Sequence, residues 1–218
     1  MANITQKELD DMIQQHEEWI RSGEKRNRPV FSGLDLSGLI FSRANLYHSV
    51  FLKCNLTNAN FKYCNLTQAD MAGSNLTKAN LKSANLFRCN LYQAVLDNVK
   101  VNEYTQFYFQ LCPEMGQFIG FKKAQSDIGQ YSIVKLLLPE DAKRSSATTY
   151  RCRTNKAVIL EIEDPSGKRM SRAQSKRNKN FIYEVGQIIN VPNFDENRWH
   201  ESAEGIHFYL SKELARLY

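Results

Sequence analysis

At 218 residues, with a formal net charge of +6, 42% apolar and 24% charged residues, the chain is sized for one or two globular domains. It has no run of eighteen apolar residues, which excludes a helical membrane span, and its first residues hold no apolar signal core, so a reducing cytoplasm is the expected home. The five cysteines are odd in number and lack C-x-x-C spacing, which speaks against both a disulfide framework and a zinc site.

Residues 4–23 predict an amphipathic helix. Thr5 and Glu8 make a capping box, Ile4 and Leu9 the staple in front of it, and Gly23 is the stop. Leu9, Met12, Ile13, His16, Trp19 and Ile20 fall on one stripe. A basic link, residues 24–30, follows.

From Phe31 to Val101 a bulky apolar residue returns at every fifth position, fifteen in register. A helix would smear this period around its axis, and a strand would send alternate members to opposite faces. The chain must turn a corner every five residues. Ala, Ser or Cys stands two places before each bulky residue from Ala44 to Ala94, and Asn or Asp dominates the place between. Asn and Asp can bond the turning backbone with their own side chains.

Ala44-Asn45-Leu46 and Cys54-Asn55-Leu56 resemble the pentapeptide-repeat family. The resemblance implies a mainly β fold, a right-handed quadrilateral β-helix with four pentapeptides per coil and coils about 4.8 Å apart. Residues twenty apart would then stack. Phe31, Phe51, Met71 and Leu91 fall on a first face and Leu36, Leu56, Leu76 and Leu96 on a second. Phe41, Phe61, Leu81 and Val101 fall on a third, and Leu46, Leu66 and Leu86 on a fourth. Cys54, Cys64 and Cys89 take the small inward place and read as buried thiols. The N-terminal helix is expected to cap the open first coil. Its His-x-x-Trp segment is similar to the start of many members of the family; a binding pair of His16 and Trp19 is the other reading.

Some members of that family bind DNA gyrase by imitating the shape and negative charge of DNA. Here residues 31–100 carry Arg43, Lys53, Lys62, Lys78, Lys82, Arg88 and Lys100 against Asp35, Asp70 and Asp97, which speaks against such mimicry. The stripe Arg43, Lys62, Lys82 on the third face reads as solvated, with nucleic-acid contact as the lesser alternative. Tyr47 and Phe87 point outward on the fourth face, Leu52 and Tyr92 on the adjoining first. Four such residues around one edge predict a covered or docking surface, for the rest of the chain or for a partner protein.

After Val101 the register of five gives way to alternation. Strands are expected at 104–111, 117–122, 131–138, 156–163, 181–185, 187–191 and 206–210, with helices near 193–200 and 211–218, in an α+β domain spanning 104–218. This places the helix and its link at 1–30 and the repeat at 31–103. The polar loop 168–180 has six cations and no acid and reads as a mobile hairpin tip or a nucleic-acid contact.

Lys143, Arg144, Arg151 and Arg153 gather with Ser145 and Ser146 within eleven residues. Cations beside hydroxyls suit a phosphate or carboxylate. Trp199 and His207 could add a stacking plane and a switchable donor, which makes a nucleotide the alternative ligand. Lys143-Arg144-Ser145-Ser146, Asn197-Arg198-Trp199 and Gly205-Ile206-His207-Phe208 resemble a domain of unassigned function found behind pentapeptide repeats in bacterial and phage proteins. Gly205, Ile206, Phe208, Ser211, Ala215 and Tyr218 are also similar to a segment of ADP-ribosyltransferases. There a tyrosine stacks on nicotinamide and a later glutamate orients the ribose. His207 replaces that tyrosine and no such glutamate follows, which implies a binding fold without transfer chemistry. No cofactor or metal is expected. The reading is a non-enzymatic, cytoplasmic interaction protein, of phage derivation, that modulates a host protein.

Overall fold

The computed structural model describes residues 1–23, 30–176, 178 and 180–218. The basic link at 24–29, and Arg177 and Lys179 of the polar loop, lie outside the described residues. The chain divides into two units, Met1–Phe109 and Gln110–Tyr218.

The first unit opens with β1 (Ala2–Asn3), α1 (Gln6–Ser22) and β2 (Leu34–Asp35). Parallel bridges then join residues twenty apart, from Val30 with Val50 to Asn80 with Lys100. Each bulky residue from Phe31 to Leu86 donates its amide to the next coil, as Phe41 N does to Asn60 O at 2.8 Å and Leu66 N to Asn85 O at 2.9 Å. The residue three further on closes a turn: Ala44 N meets Phe41 O at 2.9 Å and Ala69 N meets Leu66 O at 3.0 Å. The third residue of these turns has positive φ, 70° at Arg43, 55° at Lys53 and 57° at Arg88, as a type II turn requires. That conformation costs a non-glycine residue about 1 kcal/mol. Burying the bulky neighbour contributes about 2 kcal/mol, so the corner holds without glycine.

The axis is filled by stacking. Phe31 lies on Phe51 at 4.8 Å between centroids and Phe41 on Phe61 at 4.4 Å, while Phe51 meets Phe61 edge-on at 5.9 Å. Cys54, Cys64 and Cys89 are buried free thiols, and burial pushes Cys64 up to about 12. At the corners Asn65 Oδ1 accepts from Thr67 N at 3.1 Å while its Nδ2 donates to Asn45 Oδ1, one coil away, at 2.9 Å. The asparagine thus turns the chain and ties two coils together.

On the first coil, groups that elsewhere bond to a neighbouring coil find other partners. β1 pairs in parallel with β2. Gln6 Nε2 donates to Ile40 O at 2.9 Å and Gln6 Oε1 accepts from Ile40 N at 2.8 Å. Glu17 Oε1 accepts from Asn45 N at 3.1 Å, and His16 Nε2 donates to Tyr47 O at 3.0 Å. Leu9 and His16 are buried, the rest of the helix stripe is half-buried, and the capping box at Thr5 is formed.

The strand expected at 104–111 does not form. One extra residue enters the coil, so Asn85 bridges Gln106, and Thr105 takes the inward place with its Oγ1 donating to Leu81 O at 3.1 Å. The alternation there belongs to the tail of the coil.

The regular structure of the second unit is nearly all strand: β3 (Phe118–Gln125), β4 (Tyr131–Leu138), β5 (Arg144–Ser146), β6 (Cys152–Thr154), β7 (Lys156–Glu163), β8 (Arg169–Met170), β9 (Arg172–Gln174), β10 (Ile182–Glu184), β11 (Ile188–Asn190) and β12 (Ile206–Phe208), then α2 (Lys212–Leu217). A larger sheet has the order β10-β9-β3-β4-β7-β11, with β8 also on β7; a smaller one has the order β12-β6-β5. Phe121 and Tyr209 exchange backbone bonds of 2.8 Å, linking β3 to the chain beyond β12. A Cβ on Gly120 would sit 2.6 Å from Phe208 Cδ2, so glycine is what lets that ring lie on β3. Val134, Leu136, Ile159, Ile162 and Phe208 anchor the core.

Two expectations are corrected here. Residues 193–200 form turns, not a helix. The polar loop is not a free tip, because β8 and β9 lie within it and Ala173 is buried. The basic cluster is a short hairpin, β5 against β6.

Candidate functional site

The outward residues of the repeat occupy columns set by the twenty-residue coil. Lys53 N donates to Ala72 O at 3.1 Å and Gly73 N to Tyr92 O at 2.9 Å, which puts Leu52, Ala72 and Tyr92 in one column. Tyr47 and Phe87 share the neighbouring column with Thr67 between them. The foreseen edge is therefore two interrupted columns. Leu52 is exposed, whereas Tyr47, Phe87 and Tyr92 are half-buried. Phe87 packs on Phe107 at 4.9 Å and Tyr47 meets His48 edge-on at 4.4 Å, so part of the edge is covered from within the first unit.

The basic hairpin of the second unit does not converge on a ligand. Successive strand residues face opposite sides, and the register aligns Ser145, Arg153 and His207 in one row across β5, β6 and β12. Arg144 and Ser146 face the other way. Arg144 donates to the carbonyls of Ala142 at 2.9 Å, Gly116 at 2.7 Å, Pro139 at 3.1 Å and Glu140 at 2.8 Å, and covers the Phe118 ring. Ser146 Oγ accepts from Leu111 N at 2.7 Å.

Arg153 is 2% exposed. Its guanidinium donates to Asp195 O at 3.0 Å, Glu204 O at 2.9 Å and Asn197 O at 3.0 Å, above the Phe194 ring. Burial holds its pKa below the usual arginine range. Lys143 pairs with Glu196, and Arg151 with Glu201 at 3.4 Å. Ser145 is buried, His207 half-buried in β12, and the ring of Trp199 carries the Arg198 guanidinium at 4.3 Å. In the transferase-like segment, Ser211 Oγ caps α2 by accepting from Leu214 N at 3.2 Å, Ala215 is buried, and Tyr218 stacks on Tyr209 at 5.5 Å. These residues hold the domain together.

One concavity escaped the sequence reading. A pocket of about 140 Å³ lies among Phe121, Ile133, Lys135, Glu161, Glu163 and Lys212. Glu163 pairs there with Lys212, and with Arg216 at 3.9 Å. Lys135 within β4 and the alternation of Glu161 and Glu163 with Ile162 at the end of β7 were its only signal. Among the described residues no three of His, Cys, Asp and Glu gather as a metal would need, and no helix is long and apolar enough to cross a membrane.

Residues 30–62, 54–93 and 64–101 match the family of pentapeptide repeats, eight copies in all. Residues 108–215 match a family of unknown function (DUF5758). No curated protein matches the chain. Thirteen solved chains do. A pentapeptide repeat protein from Nostoc Pcc 7120 is 24% identical, over 48% of this chain and 84% of its own, with a TM-score of 0.35. One from the cyanobacterium Cyanothece 51142 is 21% identical, over 37% and 65%, with a TM-score of 0.20. HetL, a pentapeptide repeat protein involved in heterocyst differentiation regulation in Nostoc sp. strain PCC 7120, is 25% identical over 35% and 40%, with a TM-score of 0.16. Coils of twenty residues, filled corner by corner and followed by an independently matched domain, make this chain a pentapeptide-repeat protein that continues into a domain of a family of unknown function.

Proposed function

We propose that this protein is a non-enzymatic interaction module, acting in the cytoplasm as a modulator or inhibitor of a host protein, of the kind phages carry. In this reading the repeat is a right-handed β-helix of square section, α1 is the cap on its first coil, and the stiff ladder presents a surface to a partner protein. The observation that carries the reading is the column Leu52, Ala72, Tyr92, three apolar residues stacked outward on successive coils. On the second face the equivalent places hold Thr57, Thr77 and Asp97, as a water-facing column would. The nucleotide alternative has less to stand on, because Arg144 and Arg153 direct their donors at the chain's own carbonyls.

The test compares wild-type protein with Leu52→Lys and Ala72→Lys as immobilised baits for bacterial lysate, read by mass spectrometry. A protein retained by the wild type and lost from both variants is expected, with thermal midpoints within about two degrees of each other. The same retention by all three would remove this column as the docking surface.

A further inference from the structure

We propose that the third face of the β-helix binds single-stranded nucleic acid. This goes beyond the protein-partner reading and uses different residues. Arg43 N donates to Lys62 O at 3.0 Å, Tyr63 N to Lys82 O at 3.1 Å, and Leu81 N to Lys100 O at 2.8 Å. Four cations therefore follow one another on successive coils. Lys62 and Lys82 ride one column, separated by a strand spacing of about 4.8 Å. Like charges that close repel one another, and none of the four has an ion-pair partner among the described residues. Between Ile40 and Ala84 this face carries no carboxylate. Asp10, bonded to the same Gln6 that holds Ile40, borders it at one end, and Glu103 at the other. Such a strip favours a polyanion laid along it.

Aromatic rings narrow the class of polyanion. Tyr63 is 48% exposed, with the Arg43 guanidinium 5.3 Å and the Lys62 ammonium 4.8 Å from its ring centre. Tyr104 is 67% exposed in the turn beneath Ser83, where Asn102 Nδ2 donates to Ser83 Oγ at 3.2 Å. Exposed rings among cations suit unpaired bases that stack while their phosphates meet lysine and arginine. A duplex hides its bases and is read by a helix or ribbon entering a groove, and a flat face supplies neither. An acidic peptide would use the cations but leave both tyrosines idle.

The experiment is fluorescence anisotropy of a labelled oligodeoxythymidine and an oligouridine, each of about 20 nucleotides, titrated with the full chain at about 50 mM salt. Binding is expected to weaken with salt, log K falling by about 0.7 per phosphate neutralised. Lys62→Glu with Lys82→Glu should weaken binding at least about tenfold and flatten that slope. Tyr63→Ala should weaken it about tenfold with the slope unchanged. Lys62→Gln with Lys82→Gln, which removes charge without adding any, gives a second variant should the first unfold. Leu52→Lys should bind as the wild type, which separates this face from the protein-docking column. The proposal is overturned by no anisotropy change at about 100 μM protein. It is equally overturned by wild-type binding in the charge variants, or by full affinity in Tyr63→Ala with polyglutamate competing as well as unlabelled oligonucleotide.

Discussion

Arg43 in the β-helix stands in water, while Arg153 in the second unit is wrapped by three carbonyls. The two arginines differ in what the backbone around them leaves undone. Coil by coil, the repeat closes most of its amides and carbonyls on the next coil, and corner amides such as those of Thr57, Thr67 and Phe87 are met by asparagine side chains rather than by arginine or lysine. The second unit runs through irregular segments, 139–143 and 193–205, in which the carbonyls of Glu140, Asp195 and Glu204 turn to arginine side chains. A buried unpaired carbonyl is costly, and a guanidinium with five donors in a planar fork can satisfy several at once. Regular backbone frees its charged residues for partners; irregular backbone consumes them.

The sharpest way to break this comparison is to damage each unit at its own weak point. Leu66→Asp puts a charge on the axis of the coil and should cost about 4 kcal/mol or more, unfolding the repeat in a denaturant titration. Thr67→Asp, one place on and facing out, should cost less than about 1 kcal/mol. Equal losses would mean that the coil does not separate inside from outside as described.

In the second unit Arg153→Met takes the guanidinium from the carbonyls of Asp195 and Glu204 and leaves Asn197 O with the His200 amide alone, and we expect a loss of about 3 kcal/mol. Arg153→Lys should recover little, because a point ammonium cannot span three acceptors as the fork does. Arg43→Met should leave stability within about 0.5 kcal/mol. Equivalent midpoints for the two methionine variants would erase the distinction between the units.

A smaller effect sharpens what the two regions share. Asp35 in the coil and Asp195 in the second unit each accept the amide two residues on, at 3.0 Å from Ser37 N and 2.8 Å from Asn197 N. These bonds come first in holding both carboxyls below the usual range; His200 adds to the effect at Asp195. With the folded pKa below the unfolded value of about 4, their stabilisation is complete above that value and is lost as pH falls through the folded one. Asp35→Asn keeps the acceptor, as Asn55 and Asn65 do in their own turns, and loses the titration. It should match the wild type near neutral pH and lose less stability below about pH 4 in an acid melt. A parallel acid profile for variant and wild type would show that the Ser37 amide is not what depresses Asp35.

Much of the first unit could be read from the chain because its signal repeats. A period of five with a small residue at fixed offset asks for a corner at every fifth residue, and the resemblance to pentapeptide repeats implied the coil of twenty that lays Phe31 over Phe51. Hidden were the positive φ values. Glycine marks them only at Gly33, Gly38 and Gly73; at corners such as Arg43, Lys53, Gln68 and Arg88 nothing does, and the corner is imposed by the residues around them. The extra residue before Thr105 was equally silent, since Thr-Gln-Phe-Tyr alternates as a strand would. In the second unit the long strands β4 and β7 matched their expected limits because apolar runs carried them. β5, β6, β8 and β9 are short and polar, and their pairing is decided by neighbours far along the chain. The same distance explains the basic cluster: nothing within 143–153 tells that Arg153 will meet the carbonyls of residues forty to fifty places on.

The two bonds between the Gln6 side chain and Ile40 have a consequence of their own. A primary amide on a short tether carries the donor and acceptor of the group that links residues along the chain, with a second N–H that Gln6 gives to Asp10. At Ile40 it counterfeits a rung of a coil that does not exist. A stacked fold of this kind offers its terminal rungs as a template, and another chain could in principle continue the staircase. At this landing the bonding groups of the rung are already engaged by Gln6.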